Sequence, residues 1–433
     1  LNETVRGMLV RLLRKRGCHP RAFLSSWSGQ NKRMDDETFS FMRDVLAAPS
    51  PVGLEASMTH GVLSERFAKI SKSNWKEISF KGNAGVVWDT GNDKESELTV
   101  MIVGHADKIR MQVRSIDSTG KIFVNSDSFL PQTLIGNRVR MFSEDAKNTG
   151  SYREYRGTIE AIGAIHFAPP SFRSGTKGVT PNQLYLELGL HGDKRKEQVE
   201  KMGVRPGDTL ILDRKIERCY AENTFSGAYL DNGLGCFVTA EVARKVAEGL
   251  FVNDSRHVRC LFAYSSHEEI GRFGSRVLAA QLKPDVLIAV DVNHDYDASP
   301  IGKEEKYQPL KMGDGYTICV GATASEQLNG IIERASREKG IPTQRDVRGR
   351  DTGTDGMAAV LGNIDAAVTS LGFPIRNMHT ISELAHTGDV EACIEGICAA
   401  LKEMDKQKMT PETFKDGHPR LDRAAVVVES SSS

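Results

Sequence analysis

An apolar run at residues 258–263 is followed closely by two adjacent carboxylates, Glu268 and Glu269. The run has the length and composition of a buried strand in a parallel sheet, and residues 275–281 have the spacing of a helix. The two carboxylates therefore lie where a strand ends and a helix begins, the position at which open α/β sheets build their sites. Taken alone, such a pair is more often two solvated loop charges, so the rest of the chain must decide between these interpretations.

The length and the charge balance narrow the class of protein. A chain of 433 residues exceeds what one core usually supports, so we expect two domains, or one large domain with an insertion. Lysine plus arginine equals aspartate plus glutamate, 57 each, so we expect no nucleic-acid partner. No apolar run is long enough to cross a bilayer, so no membrane partner is expected either. Seven scattered cysteines without a Cys-x-x-Cys pair indicate reduced thiols in a cytoplasmic protein.

The first 34 residues are predicted to be an extension outside the fold. Residues 1–33 contain eight basic side chains and one acidic one, Glu3. This composition is typical of an organelle transit peptide, which would direct import. It is equally compatible with a translated upstream region that precedes a true start at Met34.

Strand and helix patterns alternate over residues 35–114 and again over residues 221–405, which predicts one α/β domain built from two segments. Between them, residues 115–220 contain short alternating runs separated by Gly, Pro, Asn and Asp, as in a small all-β module. The sequence therefore predicts an α/β fold with an inserted β domain. The tail at 406–433 is predicted to be disordered.

Further candidate site residues follow the other predicted strands. His105 and Asp107 come after the apolar run at 98–103, on one face of the strand, where the carboxylate can orient the imidazole. The alternative for this pair is a lone surface histidine beside an aspartate.

Three candidates lie in the second α/β segment. Asp231 precedes a predicted helix at 237–248, where helix capping is the strong alternative. Asp291 lies near the end of the buried run 285–292, a costly place for a charge unless a cation pairs with it. His379 lies on a loop after another predicted strand.

These candidates amount to two histidines and five carboxylates. Imidazole nitrogen with carboxylate oxygen suits Zn²⁺ or Co²⁺, and the set has too many ligands for one tetrahedral ion. Two ions that share a bridging carboxylate would account for the excess. A carboxylate left unligated beside them could act as the general base.

The order and spacing of these segments resemble the M42 family of metallo-aminopeptidases, which includes the tetrahedral aminopeptidases and members once labelled endoglucanases. The resemblance covers roughly residues 36–405 and rests on these segments: His105-Ala106-Asp107, Asp231-Asn232 with Gly235, Glu268-Glu269-Ile270-Gly271, Asp291, Gly353-Thr354-Asp355, and His379 near Glu383. It implies a zinc-peptidase-like α/β/α catalytic domain with an inserted small all-β dimerisation domain. It also implies short peptide substrates, two divalent metal ions per subunit (Zn or Co), and homo-oligomers whose dimers commonly form a dodecamer.

The same resemblance implies a role for each site residue. Asp231 would bridge the two metals; His105 and Asp291 would complete one metal site, and Glu269 and His379 the other. Glu268 would be the general base and acid, and Asp107 would contact and orient His105 without binding a metal itself.

The sequence departs from the family pattern at four positions. One of them is His267, where the family often has glutamine. Lys108 and Arg110 stand after His-x-Asp where the family has Glu-Ile-Gly, and they predict two cations near the cleft mouth. Gly233 replaces the usual arginine after Asp-Asn. Alternative functions are a related metal-dependent hydrolase of acylated amino acids, a glycan hydrolase, which would need no metal, and an inactive assembly-forming member.

Overall fold

A computed structural model describes most of the chain and divides it into an eight-stranded sheet and a six-stranded barrel. The described residues are 27, 29, 33–91, 97–126, 128–145, 147–221, 223–251, 257–297, 309–362 and 364–424.

The eight-stranded sheet has the order β1-β2-β12-β3-β13-β16-β14-β15. Its strands are β1 Lys76–Ser79, β2 Gly85–Asp89, β3 Leu98–His105, β12 Val258–Ser265, β13 Val286–His294, β14 Tyr316–Gly321, β15 Thr343–Arg348 and β16 Ala367–Ile375. The central strands β12, β3, β13 and β16 are parallel to one another. Their carboxyl ends therefore meet at one edge of the sheet.

Helices cover both faces of this sheet. They are α1 Asp36–Ala47, α2 Ser64–Ile70, α6 Leu230–Ala247, α7 Phe273–Leu282, α8 Glu326–Glu338, α9 Asp355–Leu361 and α10 Thr387–Lys406. The side chains of β3 alternate: Val100 and Ile102 pack in one apolar cluster with α6 and α10, whereas Met101 and Val103 pack in another with α7. A strand that is buried on both faces has a continuous apolar run in its sequence, and this run made β3 predictable from the sequence.

The second body is a closed barrel of six antiparallel strands, in the order β4-β5-β8-β7-β6-β9. Its strands are β4 Met111–Ile116, β5 Ile122–Asn125, β6 Arg138–Glu144, β7 Tyr152–Glu160, β8 Tyr185–Glu187 and β9 Thr209–Leu212. Short helices join them: α3 Pro131–Leu134, α4 Pro170–Arg173 and α5 Arg195–Met202. The barrel has its own apolar core.

The barrel begins at Met111, earlier than the predicted boundary at residue 115. Met111 and Val113 are fully buried while Arg114 is exposed, so the period-two alternation of a half-buried strand already starts at Met111. A three-stranded sheet of β10 Glu217–Arg218, β11 Thr224–Gly227 and β17 Glu383–His386 lies after the barrel in sequence.

The predictions for the two ends of the chain need correction. The tail predicted to be disordered contains α11 Pro411–Asp416, and Met409 and Phe414 are buried in the main core. Two apolar side chains in a polar segment were enough to anchor it. At the other end, Met34 is fully buried, so the packed chain includes part of the predicted extension; most of residues 1–34 lie outside the described part.

The Asp35 side chain caps helix α1 by accepting the Thr38 N–H. A π-helical segment, Ser57–Leu63, precedes α2 and continues into it. Within the described ranges, no helix has the length and apolar character needed to span a membrane.

Candidate metal centre

The carboxylate of Asp231 lies between two imidazoles. Its Oδ1 is 3.2 Å from His105 Nε2, and its Oδ2 is 3.2 Å from His379 Nε2. Ligand atoms of His105, Asp231 and Glu269 all lie within 4.8 Å of one another. Asp231 is in the first turn of α6, but its backbone is not helical, so it projects into the site instead of acting as a simple cap.

Each imidazole also has a carboxylate that the other lacks. Asp291 Oδ1, near the end of β13, is 3.8 Å from His105 Nε2. Glu269 Oε2, after β12, is 3.6 Å from His379 Nε2. The cluster is therefore nearly symmetrical about Asp231.

Glu268 completes the cluster on the side of His105. Its Oε2 is 3.8 Å from His105 Nε2. Its side chain also lines a cavity that opens onto the cluster. The seven residues predicted from the sequence thus lie together, although their individual roles stay predictions.

Asp107 contacts both His105 and the loop that carries the two glutamates. The closest partner of His105 Nδ1 is the Asp107 backbone carbonyl oxygen, at 3.0 Å, while the carboxylate oxygen is 3.6 Å away. The Asp107 carboxylate accepts the backbone N–H groups of Glu268, at 3.0 Å, and Glu269, at 3.1 Å. One fully buried aspartate therefore fixes the loop that carries both glutamates.

Glu383 is a site residue that the sequence reasoning missed as a functional group. Its Oε2 accepts the Leu230 N–H at 2.6 Å, and its Oε1 accepts the His379 N–H at 2.7 Å. Burial raises the pKa of this carboxyl to about 8, and the charge of Asp231 acts in the same direction. The available signal was a glutamate four residues after His379, at the start of a strand.

The buried carboxylates raise one another's pKa values. Burial raises the pKa of Glu268 to about 9 and that of Asp291 to about 8, and the charge of Asp231 adds to both shifts. Burial and the charge of Asp231 also raise the pKa of Glu269. Asp231 is the exception: burial opposes ionisation, but its bonds to His105 and His379 hold its pKa well below the usual range.

This side-chain set fits divalent cations. Buried carboxylates crowded together are costly unless cations compensate them. The Glu269 Oε1 atom is buried and has no hydrogen-bond partner among the described residues, although its other oxygen faces His379. Imidazole nitrogens with carboxylate oxygens are the donor set that Zn²⁺ and similar ions take.

A cavity of about 240 Å³ opens onto the cluster. Besides the acidic and histidine side chains, its wall includes Asn293, Arg348, Thr352, Thr354 and Met378.

The prediction that Lys108 and Arg110 add two cations at the cleft mouth is wrong for both. Lys108 is fully buried, and its Nζ donates to the backbone carbonyl oxygens of Leu46, at 2.8 Å, and Ala48, at 2.5 Å. Arg110 points to the barrel, where it donates to Thr209 at 3.2 Å. Carbonyls at the end of a helix attract cations, which explains where the Lys108 side chain goes.

A histidine and carboxylate cluster at the edge of a three-layer α/β sheet is the arrangement expected of a metal-dependent hydrolase. The chain belongs to the M42 peptidase family, because the family model described as M42 glutamyl aminopeptidase matches residues 84–395. It is accordingly a peptide hydrolase of the aminopeptidase type that uses divalent metal.

Known proteins and structures agree with this membership. A lysyl aminopeptidase of Pyrococcus furiosus is 27% identical over 379 residues, which are 86% of this chain and 99% of that protein. The crystal structure of a TET aminopeptidase from a marine sediment thaumarchaeon has a TM-score of 0.74 and 20% identity, covering 88% of this chain and 100% of the other. The TET1 peptidase of Pyrococcus horikoshii has a TM-score of 0.66 and 19% identity, covering 84% and 99%.

Proposed function

We propose that this chain removes N-terminal residues from short peptides with the help of two divalent cations. The observation that carries the proposal is the position of Asp231, whose two oxygens each face a different imidazole at 3.2 Å. A carboxylate placed in this way suits a bridge between two cations.

The remaining side chains suit the two halves of such a centre. His105 and Asp291 would hold one cation, and His379 and Glu269 the other, with Asp231 shared. When bound, such ions polarise a carbonyl and acidify a water molecule. Zn²⁺ and Co²⁺ both match the donor set.

Glu268 is the proposed proton carrier. Its carboxylate takes a proton from the attacking water as the oxygen bonds to the peptide carbonyl carbon. It then gives that proton to the amine nitrogen as the C–N bond breaks. Its place in the cavity wall, with Oε2 3.8 Å from His105 Nε2, suits a group that exchanges a proton beside the proposed centre.

We also propose that the protein is a cytoplasmic homo-oligomer. The six cysteines within the described ranges are free thiols, as is usual in a reducing compartment. The Pyrococcus horikoshii peptidase assembles into a tetrahedron or an octahedral shell. Leu130 and Phe167 of the barrel region are exposed by 69% and 89%, which supports the barrel as the contact of a dimer that builds a dodecamer.

Release of free amino acids from a mixture of unblocked short peptides tests the proposed reaction. Activity should disappear on chelation and return when Zn²⁺ or Co²⁺ is added. N-acetylated amino acids and a soluble glucan, tested in parallel, should not be cleaved. Activity that survives complete metal removal, or cleavage confined to the blocked or glycan substrates, would contradict the proposal.

A further inference from the structure

Two loops at the sheet edge form part of the wall of the cavity that opens onto the metal-binding side chains. The glutamate loop, residues 266–272 between β12 and α7, carries the two adjacent glutamates. The wall loop, residues 349–354 between β15 and α9, contributes Thr352, Gly353 and Thr354 to the lining. The two loops are distant in sequence, so their relative position depends on the contacts between them.

A two-pronged ion pair joins the two loops. Arg272, the last residue of the glutamate loop, lies 79 positions from Asp351 of the wall loop. Its Nη1 donates to Asp351 Oδ1 at 2.5 Å, and its Nη2 donates to Asp351 Oδ2 at 3.0 Å. Two parallel bonds of this kind fix the direction of approach as well as the distance.

Each member of the ion pair makes one further hydrogen bond to a residue of the cavity wall. Asp351 Oδ1 also accepts the Gly353 N–H at 2.9 Å. The Arg272 backbone N–H donates to the Glu268 carbonyl oxygen at 2.9 Å. A continuous chain of contacts therefore runs from Gly353 through the ion pair to Glu268, and both of its ends line the cavity.

The backbone of the glutamate loop needs external support. His267 and Arg272 have φ values of +61° and +59°, in the left-handed region that is unfavourable for residues with a Cβ atom. The Asp107 carboxylate holds the N–H groups of the two glutamates from the side of β3. The bond to Asp351 holds the other end of the loop, where α7 begins.

The ion pair is better suited to setting geometry than to stabilising the fold. The side chains of Arg272 and Asp351 are exposed by 23% and 49%, and exposed ion pairs contribute little to the free energy of unfolding. A displacement of about 1 Å between reacting groups, in contrast, can lower a rate by on the order of 10²-fold.

We propose that Arg272 is a positioning residue that holds Glu268 at a fixed distance from the wall loop. The inference rests on the aminopeptidase function and on the role of Glu268 proposed above. A peptide that binds against the wall loop then has its carbonyl beside the carboxylate that carries the proton. Arg272 acts only through Glu268 and binds neither metal nor peptide, so its loss should lower kcat and leave KM and metal content nearly unchanged.

The first experiment measures kcat and KM of the holoenzyme on the short peptide that the wild-type protein cleaves fastest. Arg272→Gln should lower kcat by about tenfold and change KM by less than about threefold, with metal content at the wild-type level. Arg272→Lys should recover part of the loss, because it restores the charge without the two-pronged geometry.

Asp351→Asn tests the other member of the ion pair. The asparagine side chain keeps an acceptor for the Gly353 N–H but loses the charge that Arg272 binds, so kcat should fall to a similar extent. Because both substitutions remove the same contact, the double variant with Arg272→Gln should lose about tenfold in kcat and not about a hundredfold.

The second experiment repeats Arg272→Gln in a Glu268→Gln protein. The residual turnover should fall by less than about twofold, because the carboxylate through which Arg272 acts is already absent. An arginine that merely supported the fold would lower this residual turnover by the same factor as in the wild-type background.

Arg345→Gln is the matched control. Arg345, on β15, makes a similar two-pronged bond to Glu333 on α8, at 2.7 and 3.0 Å, but this bond does not join the two loops. The control variant should keep kcat and KM within about twofold of the wild-type values.

The outcomes separate this inference from the proposed function. Wild-type kcat in Arg272→Gln overturns the positioning role and leaves the aminopeptidase function standing. A rise in KM alone, or a loss of metal, also overturns it, because it assigns Arg272 to peptide or metal binding. A full tenfold loss in the Glu268→Gln background overturns it as well. No release from any peptide by the wild-type protein contradicts the proposed function itself, and the inference fails with it.

Discussion

Carboxylates of the barrel and of the sheet edge have opposite environments. In the barrel, Glu154 is partly exposed and pairs with Arg140 at 2.7 Å, and this bond holds its pKa below the usual range. At the sheet edge, Asp291 is buried and Glu268 is largely buried beside other acids, and their pKa values are raised to about 8 and about 9. The barrel supplies its own counter-charges, whereas the sheet edge needs cations from outside. Buried acidic side chains that lack nearby counter-charges therefore indicate where a fold binds metal.

The most direct test of this contrast replaces one glutamate by glutamine in each region. Glu268→Gln should lower kcat by about 10²- to 10⁴-fold, because the amide cannot carry the proton. Metal content, measured by elemental analysis, should stay at the wild-type level. Glu154→Gln is the matched control and should keep full activity. A Glu268→Gln protein with wild-type turnover would remove this residue from the mechanism.

A second test concerns Lys108, a buried amine that lies next to the acidic cluster in sequence. Burial lowers its pKa from 10.5 to about 7. At a pH between about 7 and 10.5, the Lys108 amine is protonated in the unfolded chain but not in the folded one. The free energy of unfolding should therefore rise with pH over this range. From pH 7.5 to 9.5 the rise should be about 2 to 3 kcal/mol, at ~1.4 kcal/mol per unit.

Lys108→Met should lose most of that rise, because methionine fills similar space without a titrating group. Urea unfolding of both proteins at the two pH values measures the difference. Parallel pH profiles for the two proteins would show that the Lys108 amine keeps its proton when buried. The quantity compared between the two proteins is the free energy of unfolding, and not enzymatic activity.

The smallest expected change in the free energy of unfolding comes from a substitution in the barrel. Glu154→Gln removes the pairs with Arg140 and Arg156, which are both partly exposed to water. Exposed ion pairs contribute little, so the free energy of unfolding should fall by less than about 1 kcal/mol. Chemical denaturation at low and high salt measures it, and a larger loss would show that the barrel also depends on charge balance.

Much of the site was predictable because it is built from strand ends. Apolar runs identified β3, β12 and β13, and the polar residues that follow them, His105, Glu268 and Asp291, converge because parallel strands end at one edge. The order of the motifs then identified the family, which the family model confirms.

Two of the misses concern side chains whose partners are distant in sequence. Nothing near Lys108 shows that its amine reaches Leu46 and Ala48 at the end of α1. The role of Glu383 depends on the Leu230 N–H, far away along the chain. Local patterns report which segment is buried and with what period, but they do not report which distant backbone group a polar side chain meets.

The anchoring of His379 by Glu383 has a consequence for synthesis. Asp231, the two adjacent glutamates and Asp291 precede His379 in the chain, and Glu383 comes after all of them. During translation, the half of the cluster around His105 is therefore made first, while the second imidazole and the carboxylate that fixes its backbone leave the ribosome late. The order of the sequence delays a complete cluster until almost the whole catalytic domain has been made.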